Sequence, residues 1–114
     1  INCVNSLLKL NYPNFKIIVI DNNSLNNAVS ELKKRFPDTS IIKSPENNGY
    51  AAGNKMGIDY AITHKYELVW ILNNDCIVRA DSLTELVKSY LKNPQAIFSN
   101  LTLMSENPDI IHYA

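Results

Sequence analysis

The sequence has little of what marks most specialised protein classes. Net charge is absent, eleven Lys and Arg balancing eleven Asp and Glu, so no long-range field recommends nucleic acid or an anionic membrane as the partner. Cysteine is scarce, and Cys3 and Cys76 stand far apart. That excludes a disulfide framework and a metal-ligand spacing, and fits free structural thiols in a reducing compartment. No apolar run approaches the roughly 18 to 20 residues that span a bilayer, and no leader pattern opens the chain. The expectation is a soluble cytoplasmic segment, with the inner face of a membrane as one place where the parent protein could work. Glycine is sparse as well, and neither the G-x-G-x-x-G dinucleotide fingerprint nor a Walker A lysine motif is present. No internal repeat or low-complexity stretch competes with a globular reading.

What is there suits one domain at most. The 114 residues are 46% hydrophobic and 19% charged, near the averages of folded soluble proteins and unlike disordered ones. The chain starts at Ile1 already in a helix-like pattern and stops at Ala114 without a terminating signal. It is expected to be a single unit truncated at both ends and excised from a longer protein.

Val4, Leu7 and Leu8 share a helical face that Asn11, Tyr12 and Pro13 break. Lys16 to Asp21 is a nearly continuous β-branched run, as in a parallel strand covered on both faces. Ser24 is placed to cap a helix whose stripe is Leu25, Ala28, Val29, Leu32 and Phe36, closed by Pro37. Thr39 to Lys43 reads as a second strand, Ser44 to Gly49 as a loop, and about Tyr50 to His64 as a helix. Glu67 to Leu72 is a third apolar strand. Ser82-x-x-Glu85 matches a capping box, before a helix stopped at Asn93-Pro94. Ala96 to Ser99 reads as a fourth strand. This alternation predicts an α/β fold, a mostly parallel sheet with helices on both faces.

Ligands of such sheets collect beyond the carboxyl ends of the strands. Two polar clusters fall there, Asp21-Asn22-Asn23-Ser24 and Asn73-Asn74-Asp75. Asp21 and Asn22 can exchange hydrogen bonds with a nucleobase or ribose, whereas Ser24 alone reads best as a cap. Asp75, with Asn73 on the same side at period two, could hold Mg²⁺ or Mn²⁺ bridging a pyrophosphate, since such ions take one or two protein oxygens there. The competing reading is an Asx-type turn. Gly49, Gly53 and Gly57, four apart, would let backbone approach a neighbour or ligand closely. His64 and His112 read as surface or packing residues, Tyr60 and Trp70 as core aromatics. No nucleophile, general base or triad can be assembled, so no catalytic residue is assigned.

Three blocks together carry a family resemblance: Ile17-Ile18-Val19-Ile20-Asp21-Asn22-Asn23-Ser24; Glu46-Asn47-Asn48-Gly49-Tyr50-Ala51-Ala52-Gly53-Asn54-Lys55-Met56-Gly57; and Val69-Trp70-Ile71-Leu72-Asn73-Asn74-Asp75. In this order and spacing they resemble the family 2 glycosyltransferases with a Rossmann-like GT-A fold, in particular a rhamnosyltransferase-like branch. The resemblance covers essentially the whole chain and implies that residues 1–114 are part of the nucleotide-sugar donor half of one domain. It implies nucleoside contacts from Asp21 and Asn22, a donor pocket lined by Gly53 and Asn54, and a metal held by Asp75 as the last acid of a D-x-D motif. Asn73 stands where the first acid would be, removing one negative charge and weakening the metal site. Asn26 likewise replaces an aspartate often found after the Asp-Asn-x-Ser block.

The implied activity is inverting, metal-assisted transfer of a sugar to a saccharide or glycoconjugate acceptor during cell-surface polysaccharide assembly. A first strand before Ile1 and a catalytic base after Ala114 are expected of the family, so this segment alone should not transfer sugar. Unpaired edges left by a missing strand would favour a homodimer. Two alternatives stay open: a nucleotidyltransferase that forms nucleotide sugars, and a non-catalytic α/β binding module.

Overall fold

The computed structural model describes residues 1–104 and 106. Among them lie α1 (Asn2–Leu7), β1 (Ile18–Asp21), α2 (Ala28–Arg35), β2 (Ser40–Lys43), α3 (Gly49–Thr63) and α4 (Ser82–Lys92). β1 and β2 pair in parallel, Ile18 opposite Ser40 through to Asp21 opposite Lys43. α2 makes the crossover between them, as a parallel pair requires. α3 then returns along β1, with Gly53 and Gly57 facing Ile20. The chain is therefore a small α/β unit, and four of the expected helices and two of the expected strands lie where the sequence pattern puts them.

A second set of contacts gathers around α1. α1 buries Cys3, Val4 and Ser6, and its polar atoms reach the stretch from 73 to 80. The Val78 N–H donates to Ser6 Oγ at 3.1 Å, and the Asn11 N–H donates to the Ala80 carbonyl at 2.9 Å. Thr84 Oγ1 on α4 donates to Asn11 Oδ1 at 2.6 Å. The helix at the start of the chain thus braces a segment more than sixty residues further on.

Several local expectations are corrected. Glu67 to Leu72 is not a strand: among the described residues, 67–72 make no backbone–backbone hydrogen bond. β1 and β2 satisfy one another, and an apolar run becomes a strand only where a neighbouring backbone takes its N–H and C=O groups. Leu68, Val69 and Ile71 stay exposed there, and Trp70 is half-buried rather than a core aromatic. Ala96 to Ser99 likewise forms no strand.

Ser24 does not cap α2. The Asp21 carboxylate takes the Ser24 N–H at 3.0 Å, Asn23 turns left-handed at φ 60°, and the helix starts only after Asn27. Leu25 is left wholly exposed. The capping box at Ser82 is not formed either. Asp81 occupies the cap position without a side-chain cap bond, its carboxylate being taken by Arg79 at 3.2 Å.

The core is correspondingly thin. Cys3, Val4 and Ala61 are the buried hydrophobic residues among those described. The radius of gyration, 14.9 Å, exceeds the about 13 Å of a well-packed domain this long. Tyr60 is half-buried and stacks on His64 with ring centroids 3.8 Å apart. The exposed His64 is thus a packing residue, and its Nδ1 sits 2.8 Å from the Tyr60 carbonyl. His112 lies outside the described residues. Among those described, no helix is long and apolar enough to cross a membrane.

Candidate functional site

The carboxyl end of β1 is where the polar chemistry concentrates. Asp21 closes the strand, is 5% exposed, and offers two oxygens with different fates. Oδ1 accepts the Ser24 N–H, whereas Oδ2 is buried with no hydrogen-bond partner. The Ser24 hydroxyl, then the Ser24 N–H, hold the carboxyl below the ordinary carboxylate range. Burial pulls the other way, and Lys43 across the ladder adds a smaller lowering effect. A carboxylate kept ionised in a buried setting is poised to accept a hydrogen bond or a cation.

Asn22 follows and is held from the far side. Its Nδ2 donates to Asn47 Oδ1 at 2.8 Å and to the Gly49 carbonyl at 3.1 Å. Asn47 Oδ1 also accepts the Gly49 N–H at 3.1 Å. Both groups beside Nδ2 are acceptors, so the amide must present its NH₂ to them and its oxygen away. That oxygen, Oδ1, is buried and unpartnered, like Asp21 Oδ2. A small closed network therefore leaves two orphaned acceptors at one strand end. Buried acceptors without partners cost free energy that a donor-bearing ligand would recover.

Ser44 and Gly49 shape the opposite wall. The Ser44 N–H donates to the Asp21 carbonyl at 2.8 Å, and Ser44 Oγ donates to the Glu46 carbonyl at 2.6 Å. Gly49 opens α3 at φ +82°, with nothing within 4 Å of where a Cβ would stand. It is needed for conformation, not for space. A Cβ on Gly53 would meet Ile20 Cγ2 at 3.8 Å and Asn22 Cγ at 3.9 Å. This is ordinary contact, so the expected close approach at the glycines does not exclude a methyl group at Gly53. Gly53 is buried against Asn22, and Asn54, half-buried, follows it on α3.

The second polar cluster is built differently. Asn73, Asn74 and Asp75 are all exposed. The Asn73 carbonyl accepts the Cys76 N–H at 3.2 Å and lies 3.6 Å from Cys3 Sγ, so a turn forms here and the two cysteines, distant in sequence, meet around one carbonyl oxygen. Burial raises the Cys3 thiol, with Cys76 and then Asp75 adding to the rise and the amino terminus opposing it. Asp75 Oδ1 lies 3.9 Å from Cys76 Sγ. Among the described residues no group of three or more His, Cys, Asp or Glu could hold a metal, and no hydrogen bond joins Asn73 or Asp75 to Asp21 or Asn22.

Of the expected site residues, the structure brings Asn22 and Gly53 together next to Asp21, leaves Asn54 half-buried on α3 with no hydrogen bond to them, and sets Asn73 and Asp75 in an exposed turn of their own. Asn47, which the sequence places in the Ser44 to Gly49 loop and in the second of the three blocks, joins the end of β1 through Asn22. Its signal was the Asn-x-Gly spacing before a helix, where an Asn oxygen can take the glycine N–H.

The unit is of the open parallel α/β class, whose ligands collect at the carboxyl ends of the strands, and the comparisons with known proteins narrow the class. The sequence model described as Glycosyl transferase family 2 matches residues 1–112. The chain belongs to that family, and the α/β unit is of its GT-A type. It is 30% identical over 95 residues to the poly-beta-1,6-N-acetyl-D-glucosamine synthase of Staphylococcus epidermidis, covering 81% of this chain and 22% of that protein. It is 32% identical over 94 residues to the low-salt glycan biosynthesis hexosyltransferase Agl10 of Haloferax volcanii, covering 80% of this chain and 29% of that protein. The chain thus spans less than a third of either relative's length. No solved structure matches at a comparable level.

Proposed function

We propose that this chain binds the nucleotide-sugar donor of an inverting, divalent-metal-assisted glycosyltransferase that builds a polysaccharide or glycoconjugate. The observation that carries this reading is the pair of buried, unpartnered acceptors, Asp21 Oδ2 and Asn22 Oδ1, at the carboxyl end of a parallel strand. Nucleosides present the N–H and O–H donors that such acceptors take. Gly53 packs beside Asn22 at the same place, and Asn54 follows it on α3. The names of both relatives refer to glycan synthesis, which supports a saccharide or glycoconjugate acceptor here.

Asp75 is the residue that would hold Mg²⁺ or Mn²⁺, with Asn73 as an amide neighbour. The fit is chemical: an exposed carboxylate offers hard oxygens and leaves most of the shell to phosphate and water. One carboxylate alone implies weak affinity without the nucleotide. When bound, the ion would neutralise charge on a departing nucleoside diphosphate. The protein's own part is to orient the nucleoside against Asp21 and Asn22. We place the reaction in the cytoplasm, at the inner face of the membrane where the acceptor is membrane-bound.

Isothermal calorimetry with UDP-, GDP- and dTDP-sugars, with and without Mn²⁺, tests the reading. One of the three should bind, more tightly with Mn²⁺, and Asp75→Ala should remove the Mn²⁺ dependence. Absence of binding to all three, together with no effect of Asp75→Ala, would sink the donor-site assignment.

A further inference from the structure

We infer that Cys3 and Cys76 form a paired thiol site for small-molecule disulfides, at which Cys76 reacts first and Cys3 completes an intramolecular bridge. The site does not depend on the donor-site reading above.

The two cysteines stand far apart in the chain, and one oxygen brings them together. The Cys3 thiol donates to the Asn73 carbonyl at 3.6 Å, and the Cys76 N–H donates to the same carbonyl at 3.2 Å. The Cys3 sulfur and the Cys76 backbone therefore lie within about 7 Å of each other, the scale on which disulfide-linked residues sit. A second contact fixes the register. Ser6, one helical turn after Cys3 on the same face of α1, accepts the Val78 N–H at 3.1 Å, so that face meets the stretch from Cys76 to Val78 at two points. Burial first and Cys76 next raise the Cys3 thiol, as a close neighbour does.

Exposure sets the order of events. Cys3 is buried and Cys76 half-buried, with Asn73, Asn74 and Asp75 exposed before it, so a reagent in solution reaches Cys76 first. Cys76 Sγ attacks one sulfur of the small disulfide, whose S–S bond breaks, and the departing thiol takes the Cys76 proton. Cys3 Sγ then attacks Cys76 Sγ and expels the second thiol, which takes the Cys3 proton. Two protein thiols are oxidised to one bridge, and one external disulfide is reduced to two thiols. The exposed turn supplies the movement that closes the pair. Asp75 Oδ1 lies 3.9 Å from Cys76 Sγ, so the bridge ties α1 to the turn that carries this carboxylate.

The test treats the purified, folded chain with increasing oxidised glutathione at fixed reduced glutathione, quenches with acid, alkylates free thiols and maps the peptides by mass spectrometry. The wild type should pass to a linked Cys3–Cys76 peptide at a concentration of oxidised glutathione at least about tenfold below that needed in urea, where the bridge has to close a long disordered loop. Cys3→Ser should stop at a mixed disulfide on Cys76, and Cys76→Ser should leave Cys3 unmodified. Cys3 reacting in Cys76→Ser as fast as Cys76 does in Cys3→Ser overturns the assigned order. A wild-type chain that stays reduced, that stops at a mixed disulfide, or that bridges no more readily when folded than in urea overturns the inference, whether or not either variant folds.

Discussion

The ends of two apolar runs, at Asp21 and at Asp75, look alike in sequence and differ in structure. Each is a run of aliphatic residues closed by Asn and Asp. After the first, the acid is buried, hydrogen-bonded on one oxygen and orphaned on the other. After the second, it stands exposed in a turn. The difference lies in the neighbours. Ile18–Asp21 has β2 on its edge and α3 against its side chains, whereas residues 67–72 have no backbone partner among those described. A strand end becomes a preorganised site only when the strand itself is held.

The comparison can be broken by mutation, and the largest effect is expected at Asp21. Asp21→Ala removes the acceptor for Ser24 and should cost about 1–3 kcal/mol in urea unfolding. Because the folded-state carboxyl lies below its ordinary 3.8, its contribution is complete above that value. It is lost as pH falls from there through the lowered folded-state value. Unfolding midpoints followed downward from pH 5 should therefore fall in the wild type and be flatter in Asp21→Asn. A flat wild-type profile would contradict the assigned hydrogen bonds.

Next in size is Gly49→Ala, which forces a side chain into the left-handed region and should cost about 1 kcal/mol. Gly53→Ala is the control. Its new methyl meets only ordinary contacts and gains helix propensity, so stability should hold or rise by up to about 1 kcal/mol. The smallest effect belongs to the other end of the comparison: Asp75→Ala should change stability by less than about 0.5 kcal/mol. A larger loss there would mean that the exposed turn is structurally held after all.

Local signals made the α/β alternation legible: the shared face of Val4, Leu7 and Leu8 in α1, the Asn93-Pro94 stop of α4, and the β-branched runs of β1 and β2. The residues before α2 were misread for a physical reason. A serine ahead of an apolar stripe does cap helices, but the Asp21 carboxylate competes for its N–H and wins. The third strand was misread because the sequence of a run cannot reveal whether another backbone lies beside it. The polar end of β1, with Asp21 and Asn22, is legible from its place after a β-branched run. The Asn47 contact is not, since it joins residues 25 apart through a loop whose geometry depends on one left-handed glycine.

The brace between α1 and the stretch from 73 to 80 has a consequence in time. Ser6 meets Val78 across 72 positions, while the β1–α2–β2–α3 unit closes through short connections. During synthesis the crossover unit can assemble as soon as residue 63 has emerged, but α1 has to wait for residue 78 with its apolar side uncovered. Closing so long a loop is slow relative to local pairing. The nascent chain therefore passes through a stage in which the carboxyl end of β1 is already formed and α1 is not yet tied to residue 78.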